Sequence, residues 1–471
     1  ELEKLRRIGI ERAKRDEDMR VQRNKEEESQ RMEIEFNERQ ILMRREASRE
    51  RRRVREDAAL AARSPKVLRS PISCIMGHVD TGKTKLLDKI RHSNVQEGEA
   101  GGITQQIGAT AFSKDTLQQQ TYSMQKLHPF DVELPGLLMI DTPGHESFTN
   151  LRSRGSSLCD IAVLVIDLMH GLEPQTVESL NMLRRLGTPF IVALNKVDRC
   201  YGWKSVGNCP SQAALANQDM STIAEFNSKM NHVVLQLSEQ GINAELYWNN
   251  KSFDDTISLV PTSAHTGEGI PDLLYNIIII AQTRKRLVLQ AHMKLTCTVL
   301  EVKVVEGFGH TIDVVLVNGE ICEGDNIVVS TMEGPVLTQV RALVTPPPNR
   351  ESRVNKDFVH HQFIRGTVGV KIVAADVGRA IAGTTVMVLH PEDDEEEVME
   401  DCQSDLTQLL KSLEMDARGV LVHASTLGAL EALLQFLREE CEPKIPVSHI
   451  VIGPIYKKDI MRAALAHDKG S

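Results

Sequence analysis

Over the first 66 residues apolar positions are too sparse to form heptads, while acidic residues precede basic ones by four positions at Glu3 and Arg7, Glu11 and Arg15, Asp16 and Arg20, Glu27 and Arg31, and Glu35 and Arg39. Residues at that spacing meet on one helix face, so this stretch is expected to be a helix that is polar on every side. Such a helix must bridge solvent or dock on a charged partner. Its most basic part, Arg44 to Arg55, could touch RNA phosphates, although a solvated charged face is the reading we favour. From Val67 the pattern changes. Short apolar runs at Ser73 to Met76, Leu137 to Ile140, Ala162 to Ile166, Phe190 to Leu194 and Ser258 to Pro261 alternate with helical stretches, the rhythm of a mainly parallel sheet covered by helices on both faces. A polar insertion from Tyr201 to Asp255 is expected to hold a helix around Met220 to Gln240.

After a helical stretch from Leu273 to Gln290 the spacing turns all-β, with strands expected at Lys294 to Val304 and Thr311 to Val317 and turns at Asn318-Gly319 and Glu323-Gly324. A small antiparallel barrel closes such strands without leaving open edges. The acidic run Glu392 to Glu397 reads as a linker. Beyond it a helix (Asp401 to Leu413), a strand (Gly419 to Ala424), a helix (Leu427 to Glu440) and a strand (His449 to Ile452) are expected to begin another α/β domain. The chain thus divides into a charged helical extension over 1–66, an α/β domain over 67–290, a β-barrel over 291–391 and a partial α/β domain over 398–471.

Composition changes this picture little. The 471 residues are 41% hydrophobic and 26% charged, ordinary values for a chain that buries a core, and the length fits roughly three domains. A formal net charge of -9 argues against a protein that simply coats nucleic acid, leaving local basic patches as the route to RNA. Eight cysteines include no CxxC pair, so neither a zinc site nor a disulfide framework is expected, and the thiols fit a reducing compartment. No apolar run approaches the roughly 18 residues of a membrane helix, and no signal-peptide pattern opens the chain. A cytoplasmic protein without a membrane partner is expected, and a first residue of Glu1 rather than Met reads as a fragment.

The candidate chemistry lies in three motifs. Gly77-His78-Val79-Asp80-Thr81-Gly82-Lys83-Thr84 follows the first apolar run and precedes a helical stretch, the setting a P-loop requires. Its glycines let backbone N–H groups close round phosphates, Lys83 reaches the β- and γ-phosphates, and the Thr84 hydroxyl ligates magnesium. Asp141-Thr142-Pro143-Gly144 closes another apolar run, where Asp141 can hold the metal and the Gly144 N–H can meet the γ-phosphate. Alone, that string could be only a tight turn. Asn195-Lys196-Val197-Asp198 explains the base: a carboxylate accepts two hydrogen bonds, so Asp198 matches the N1–H and amine donors of guanine, a pair adenine lacks. Asn195 can brace the loop and meet N7, the Lys196 stem can cover the ring, and Ser263-Ala264 can offer an N–H to O6. Gly101-Gly102-Ile103-Thr104 sits where a switch segment should lie, and Thr104 can complete the magnesium shell when the γ-phosphate is present. His145 stands where a group that orients the attacking water is expected, which outweighs the usual structural role of a lone histidine. The expected fold class is therefore α/β, a P-loop GTPase domain followed by the barrel and the partial α/β domain. Lys83, Thr104, Gly144 and His145 are its catalytic candidates, GTP its substrate, magnesium its cofactor.

The strings GHVDTGKTKLLD (Gly77 to Asp88), GGITQQIGAT (Gly101 to Thr110) and DTPGHESFTNLRSRG (Asp141 to Gly155) resemble the translational GTPases, and specifically the branch of initiation factor 5B and bacterial initiation factor 2. GFGHTIDVVLVNGEICEGD, TPPPNRESRV, ASTLGALEALLQFL and IGPIYKKD extend the resemblance over about Val67 to Met461. It implies a factor that promotes joining of the ribosomal subunits in its GTP state and leaves after hydrolysis, with ribosomal RNA orienting His145. It also implies a monovalent cation, K+ or Na+, near Asp80, with Thr81 and Gly82 in the phosphate loop. The implied partners are ribosomal subunits and ribosomal RNA, and initiator tRNA and other initiation factors through regions partly missing here, since this chain ends inside the third domain; a monomer is expected. Two rivals remain: an elongation-type, tRNA-delivering GTPase, which the GGITQQIGAT string and the α/β third domain argue against, and a non-catalytic GTP-dependent scaffold, which would be suspected if Thr104 or His145 were replaced.

Overall fold

The computed structural model describes residues 2–63, 67–93, 108–141, 152–153, 156–250, 252, 255–305, 307–347, 358–411, 415–424, 430, 433–434, 437, 445–453 and 455–468. A single helix α1 (Leu2–Ala61) takes up the charged extension. After it, strands β1 (Ile72–Gly77), β2 (Gly108–Ser113), β3 (Gly136–Asp141), β4 (Ile161–Asp167), β5 (Phe190–Asn195), β6 (Ala244–Leu246) and β7 (Ile257–Pro261) form one sheet. Its order is β2-β3-β1-β4-β5-β7-β6, parallel except where β2 meets β3. Every residue of β1, β3, β4 and β5 is buried, which is why these strands appear as unbroken apolar runs rather than alternating ones. Helices α2 (Lys83–Arg91) and α5 (Ile270–Thr283) cover one face through Leu86, Leu87, Ile90, Leu273 and Ile277. Helices α3 (Pro174–Leu186) and α4 (Met220–Glu239) cover the other through Leu180, Leu183, Phe226 and Val233.

The second sheet is antiparallel, with strands β8 (Thr296–Val305), β9 (Gly309–Asn318), β10 (Asn326–Val329), β11 (Val336–Thr345), β12 (Val368–Ala374) and β13 (Met387–Val388) in the order β8-β9-β12-β11-β10-β13. The approach to β13 also bonds β8, Val386 N to Cys297 O at 2.9 Å and Gly383 N to Val299 O at 2.8 Å, so the sheet closes on itself. Closure removes the edges that an open sheet would expose. Leu300, Val315 and Val317 on the outside of the barrel share an apolar cluster with Ala109 of β2. The strand that follows the Gly101 to Thr104 segment therefore lies against the barrel. The last part holds α6 (Glu395–Lys411), the parallel pair β14 (Met415–Ala424) and β15 (Val447–Ile452), and α7 (Lys457–Asp468). Most of the helix expected at Leu427 to Glu440 lies outside the described residues.

Two expectations about charge are corrected. The acidic run Glu392 to Glu397 is not a linker, because Asp394 caps a helix there: its Oδ1 accepts from Glu397 N at 3.3 Å, and Glu395, Glu396 and Glu397 fill the first turn of α6. Carboxylates at a helix N-terminus complement its dipole, so the acidic cluster favours a helix start rather than a linker. Nor is Arg44 to Arg55 simply solvated. Arg44 pairs with Asp394 (2.9 Å), Arg52 with Asp401 (2.7 Å), Arg55 with Asp393 (2.7 Å), and Arg45 with Glu396 and Glu400. Arg49 and Arg52 both reach Glu397, and the Ser48 hydroxyl accepts from Asp394 N at 2.8 Å. The charged partner that a polar helix needs is the chain's own acidic helix.

Exposed ion pairs contribute only about 0–1 kcal/mol each, so the weight of this clasp falls on Glu397, which is fully buried, and on Arg52, whose side chain is 12% exposed. Arg52→Ala leaves that buried carboxylate with one partner fewer and is expected to cost on the order of 2 kcal/mol of docking. Limited trypsinolysis followed by mass spectrometry measures it: cleavage at the remaining arginines between 44 and 55 should accelerate by more than tenfold, and 0.5 M salt should push the wild type the same way. Equal cleavage rates in both proteins would show that α1 is held by something else.

Candidate nucleotide-binding site

The carboxyl ends of five parallel strands come level at one edge of the first sheet. Asp141 of β3 is in register with Ile75 of β1, Gly77 with Val165, Asp167 of β4 with Asn195 of β5, and Leu194 with Pro261 of β7. The chain places β3 on one side of β1 and β4 on the other, and such a reversal opens a crevice at the strand ends where ligands bind. The phosphate loop leaves β1 at this point. Gly77 (φ +144) would bring a Cβ to 2.4 Å from Val165 O, and Gly82 (φ +88) to 2.6 Å from Asn195 Nδ2, so the turn between strand and helix is closed to any side chain at either position. Asp80 adopts the left-handed conformation as well (φ 66), and Thr81 Oγ1 donates to His78 O at 2.9 Å.

Lys83 opens α2 and is 7% exposed, with Nζ donating to Gly77 O and His78 O, both at 2.8 Å. Burial pushes its ammonium below the ordinary value, and the nearby Asp141 and Asp80 carboxylates offset part of that shift. A buried cation at a helix N-terminus complements a phosphate chain. Thr84 follows in the same turn, and Asp141 ends β3 almost fully buried. A hydroxyl and a carboxylate are the hard oxygen donors that magnesium prefers, so this pair fits that ion. Thr104, Gly144 and His145 lie outside the described residues.

On the base side Asn195 is the joint of the site. Its Nδ2 donates to Thr81 O at 2.7 Å and its Oδ1 accepts from Ala264 N at 3.0 Å, so one amide ties the phosphate loop to the loop after β7. Ser263 Oγ donates to Asp198 Oδ1 at 2.6 Å, while Ser263 N donates to Glu268 O at 2.9 Å. The backbone N–H groups of Ser263 and Ala264, expected to offer a donor to guanine O6, bond within the protein here, and the loop also meets Asp198 through the Ser263 hydroxyl. Lys196 (φ 67) pairs through Nζ with Asp167 Oδ2 at 2.7 Å, which anchors the far end of the stem expected to cover the base. Burial works to raise Asp167, but hydrogen bonds from Lys196, the Met169 amide and His170 outweigh it and hold the carboxyl below its usual range.

Asp167, Glu173 and Gln175 escaped the sequence reading. Asp167 had a signal, since it ends its apolar run as Asp141 does. Glu173 and Gln175 had none: His78 Nε2 lies 2.6 Å from Glu173 Oε2 and Val79 N donates to Gln175 Oε1 at 3.3 Å, across 96 residues of chain in the second case.

Comparison with known proteins agrees with this geometry. The sequence pattern described as the elongation factor Tu GTP binding domain matches residues 69–283, and that of translation-initiation factor 2 matches residues 393–469. Eukaryotic translation initiation factor 5B of Schizosaccharomyces pombe is 56% identical over 402 residues, covering 85% of this chain and 37% of that protein. The probable translation initiation factor IF-2 of Halorubrum lacusprofundi is 44% identical, over 85% of this chain and 66% of the relative. The crystal structure of GDP-bound aIF5B from Aeropyrum pernix superposes with a TM-score of 0.72 at 39% identity, covering 86% of this chain and 67% of that one. This chain therefore spans little more than a third of the length of the fission-yeast relative.

Proposed function

Since this chain belongs to the translation initiation factor 5B family of GTPases, we propose that it is a ribosome-dependent GTPase of translation initiation, promoting subunit joining and leaving after GTP is hydrolysed. One observation carries the nucleotide half of this reading: the Asn195 amide joins Thr81 to Ala264, so the phosphates and the guanine would be gripped by a single braced unit. In this reading Lys83 and the loop of Asp80, Thr81 and Gly82 hold the phosphates, and Asn195, Lys196, Asp198, Ser263 and Ala264 form the base side. Thr84, Thr104 and Asp141 hold magnesium, whose charge offsets that building on the phosphate oxygens. The roles left to Gly144 and His145 are an N–H for the γ-phosphate and a group to orient the attacking water. Ribosomal subunits and ribosomal RNA are the partners, with initiator tRNA and other initiation factors joining the same assembly. A monomer working in the cytoplasm suits that role.

The Asp80 carboxylate beside the phosphates would add repulsive negative charge, which a K+ or Na+ ion against it would relieve. Replacing potassium by a bulky organic cation at constant ionic strength should weaken GTP binding and slow hydrolysis severalfold, as measured by titration and phosphate release. Identical values in the two salts would remove the ion from the site. The initiation role is tested by sedimenting the chain with ribosomes: retention is expected with a non-hydrolysable GTP analogue and loss with GDP, whereas equal retention in both states would overturn a nucleotide-controlled factor.

A further inference from the structure

We propose that Glu268 is a positioning residue for guanine recognition, setting the Asp198 carboxylate through the loop between β7 and α5. The proposal rests on the nucleotide reading above. Glu268 lies between Gly267 (φ +88) and Gly269 (φ +73), where a Cβ would fall 2.0 Å from Asn208 Oδ1 and 1.9 Å from Pro261 O respectively. The two glycines let the chain turn sharply enough to carry a glutamate inward, leaving it 1% exposed, and a carboxylate so buried must be hydrogen-bonded. It is bonded three times. Oε1 accepts from Val206 N at 2.6 Å, and Oε2 accepts from Trp203 Nε1 at 3.0 Å and Thr266 Oγ1 at 2.7 Å.

Those partners reach Asp198 from both directions. Thr266 N donates to Ser263 Oγ at 3.1 Å, and that hydroxyl gives its own proton to Asp198 Oδ1 at 2.6 Å. The backbone closes the same loop, Ser263 N to Glu268 O at 2.9 Å and Gly267 N to Ser263 O at 2.8 Å. Trp203 and Val206 lie in the segment that follows Asp198 along the chain, and Asp272 holds the next stretch of it through Ser211 N and Oγ. One buried carboxylate thus clamps the segment after Asp198 to the loop whose serine aims Asp198. A glutamate serving only to pack this corner would act on all ligands alike; one that aims Asp198 acts on the base.

The test compares binding of GDP and inosine diphosphate, which lacks the exocyclic amine that one Asp198 oxygen would meet. Both affinities are measured by titration for the wild type, Glu268→Gln and Trp203→Phe. Since both Glu268 oxygens accept from donors, an amide must turn its NH2 against one of them whichever way it faces. The wild type is expected to prefer GDP, Glu268→Gln to shrink that preference about tenfold with a smaller loss for inosine diphosphate, which keeps the N1–H that Asp198 also accepts, and Trp203→Phe to shrink it about threefold. If Glu268→Gln does not fold, Trp203→Phe and Thr266→Val carry the test. An unchanged preference in folded variants, or an equal loss for both nucleotides, overturns the proposal. No preference in the wild type would instead bring down the guanine reading of Asp198, and this proposal with it.

Discussion

Asp198→Asn is expected to lower GTP affinity by about a hundredfold or more and to let xanthosine triphosphate bind in its place. Two charge-assisted hydrogen bonds to the N1–H and the amine are worth about 1.5–3 kcal/mol each, and an amide at this position retains at most one acceptor toward them. Xanthine carries a keto group where guanine carries the amine, so the Asn NH2 finds an acceptor where the carboxylate would have met repulsion. The site supports the exchange, because Ser263 Oγ, which donates to Asp198 Oδ1, can donate equally to an amide oxygen. Competition titrations with the two nucleotides measure it. Undiminished GTP affinity with no gain for the xanthine nucleotide would take Asp198 out of base recognition.

His145→Ala should leave GTP affinity nearly intact while slowing ribosome-stimulated hydrolysis by on the order of a hundredfold or more. In the proposed site the binding contacts would come from Lys83, Asn195, Asp198 and the backbone of the phosphate loop, whereas the imidazole would act on water alone, so binding and chemistry should separate. Without ribosomes the effect should be much smaller, since the trigger that the family resemblance implies is ribosomal RNA orienting this side chain. Single-turnover hydrolysis on assembled ribosomes, with nucleotide affinity measured in parallel, decides between roles: a matching loss of affinity would make His145 structural, and a wild-type rate would remove it from the mechanism.

The fold class is legible because five of the seven strands of the first sheet are announced locally, whereas β2 and the short β6 carry no comparable apolar run. Buried strands appear as unbroken apolar runs, and the phosphate loop appears as glycines at the turns where a Cβ would strike Val165 O or Asn195 Nδ2. What stayed hidden depends on partners far away in sequence. The pairing of Arg45 with Glu396 spans 351 residues, and neither charge run alone indicates the other; each was therefore read as solvated or as a linker. The acidic run also resembles a linker because like charges in a row repel one another, whereas behind Asp394 they make a favourable helix start. Glu268 stood in a visible Gly-Glu-Gly string, but its partners Trp203 and Val206 come from the insertion after Asp198, whose path across the base loop no local pattern discloses.

Control of the GTPase by the ribosome is decided by phosphate release from GTP under multiple turnover, with this chain alone and with assembled ribosomes added. Slow hydrolysis alone and acceleration by about a hundredfold or more with ribosomes is the predicted result. The same rate in the two conditions, with the chain shown to bind GTP, would contradict it.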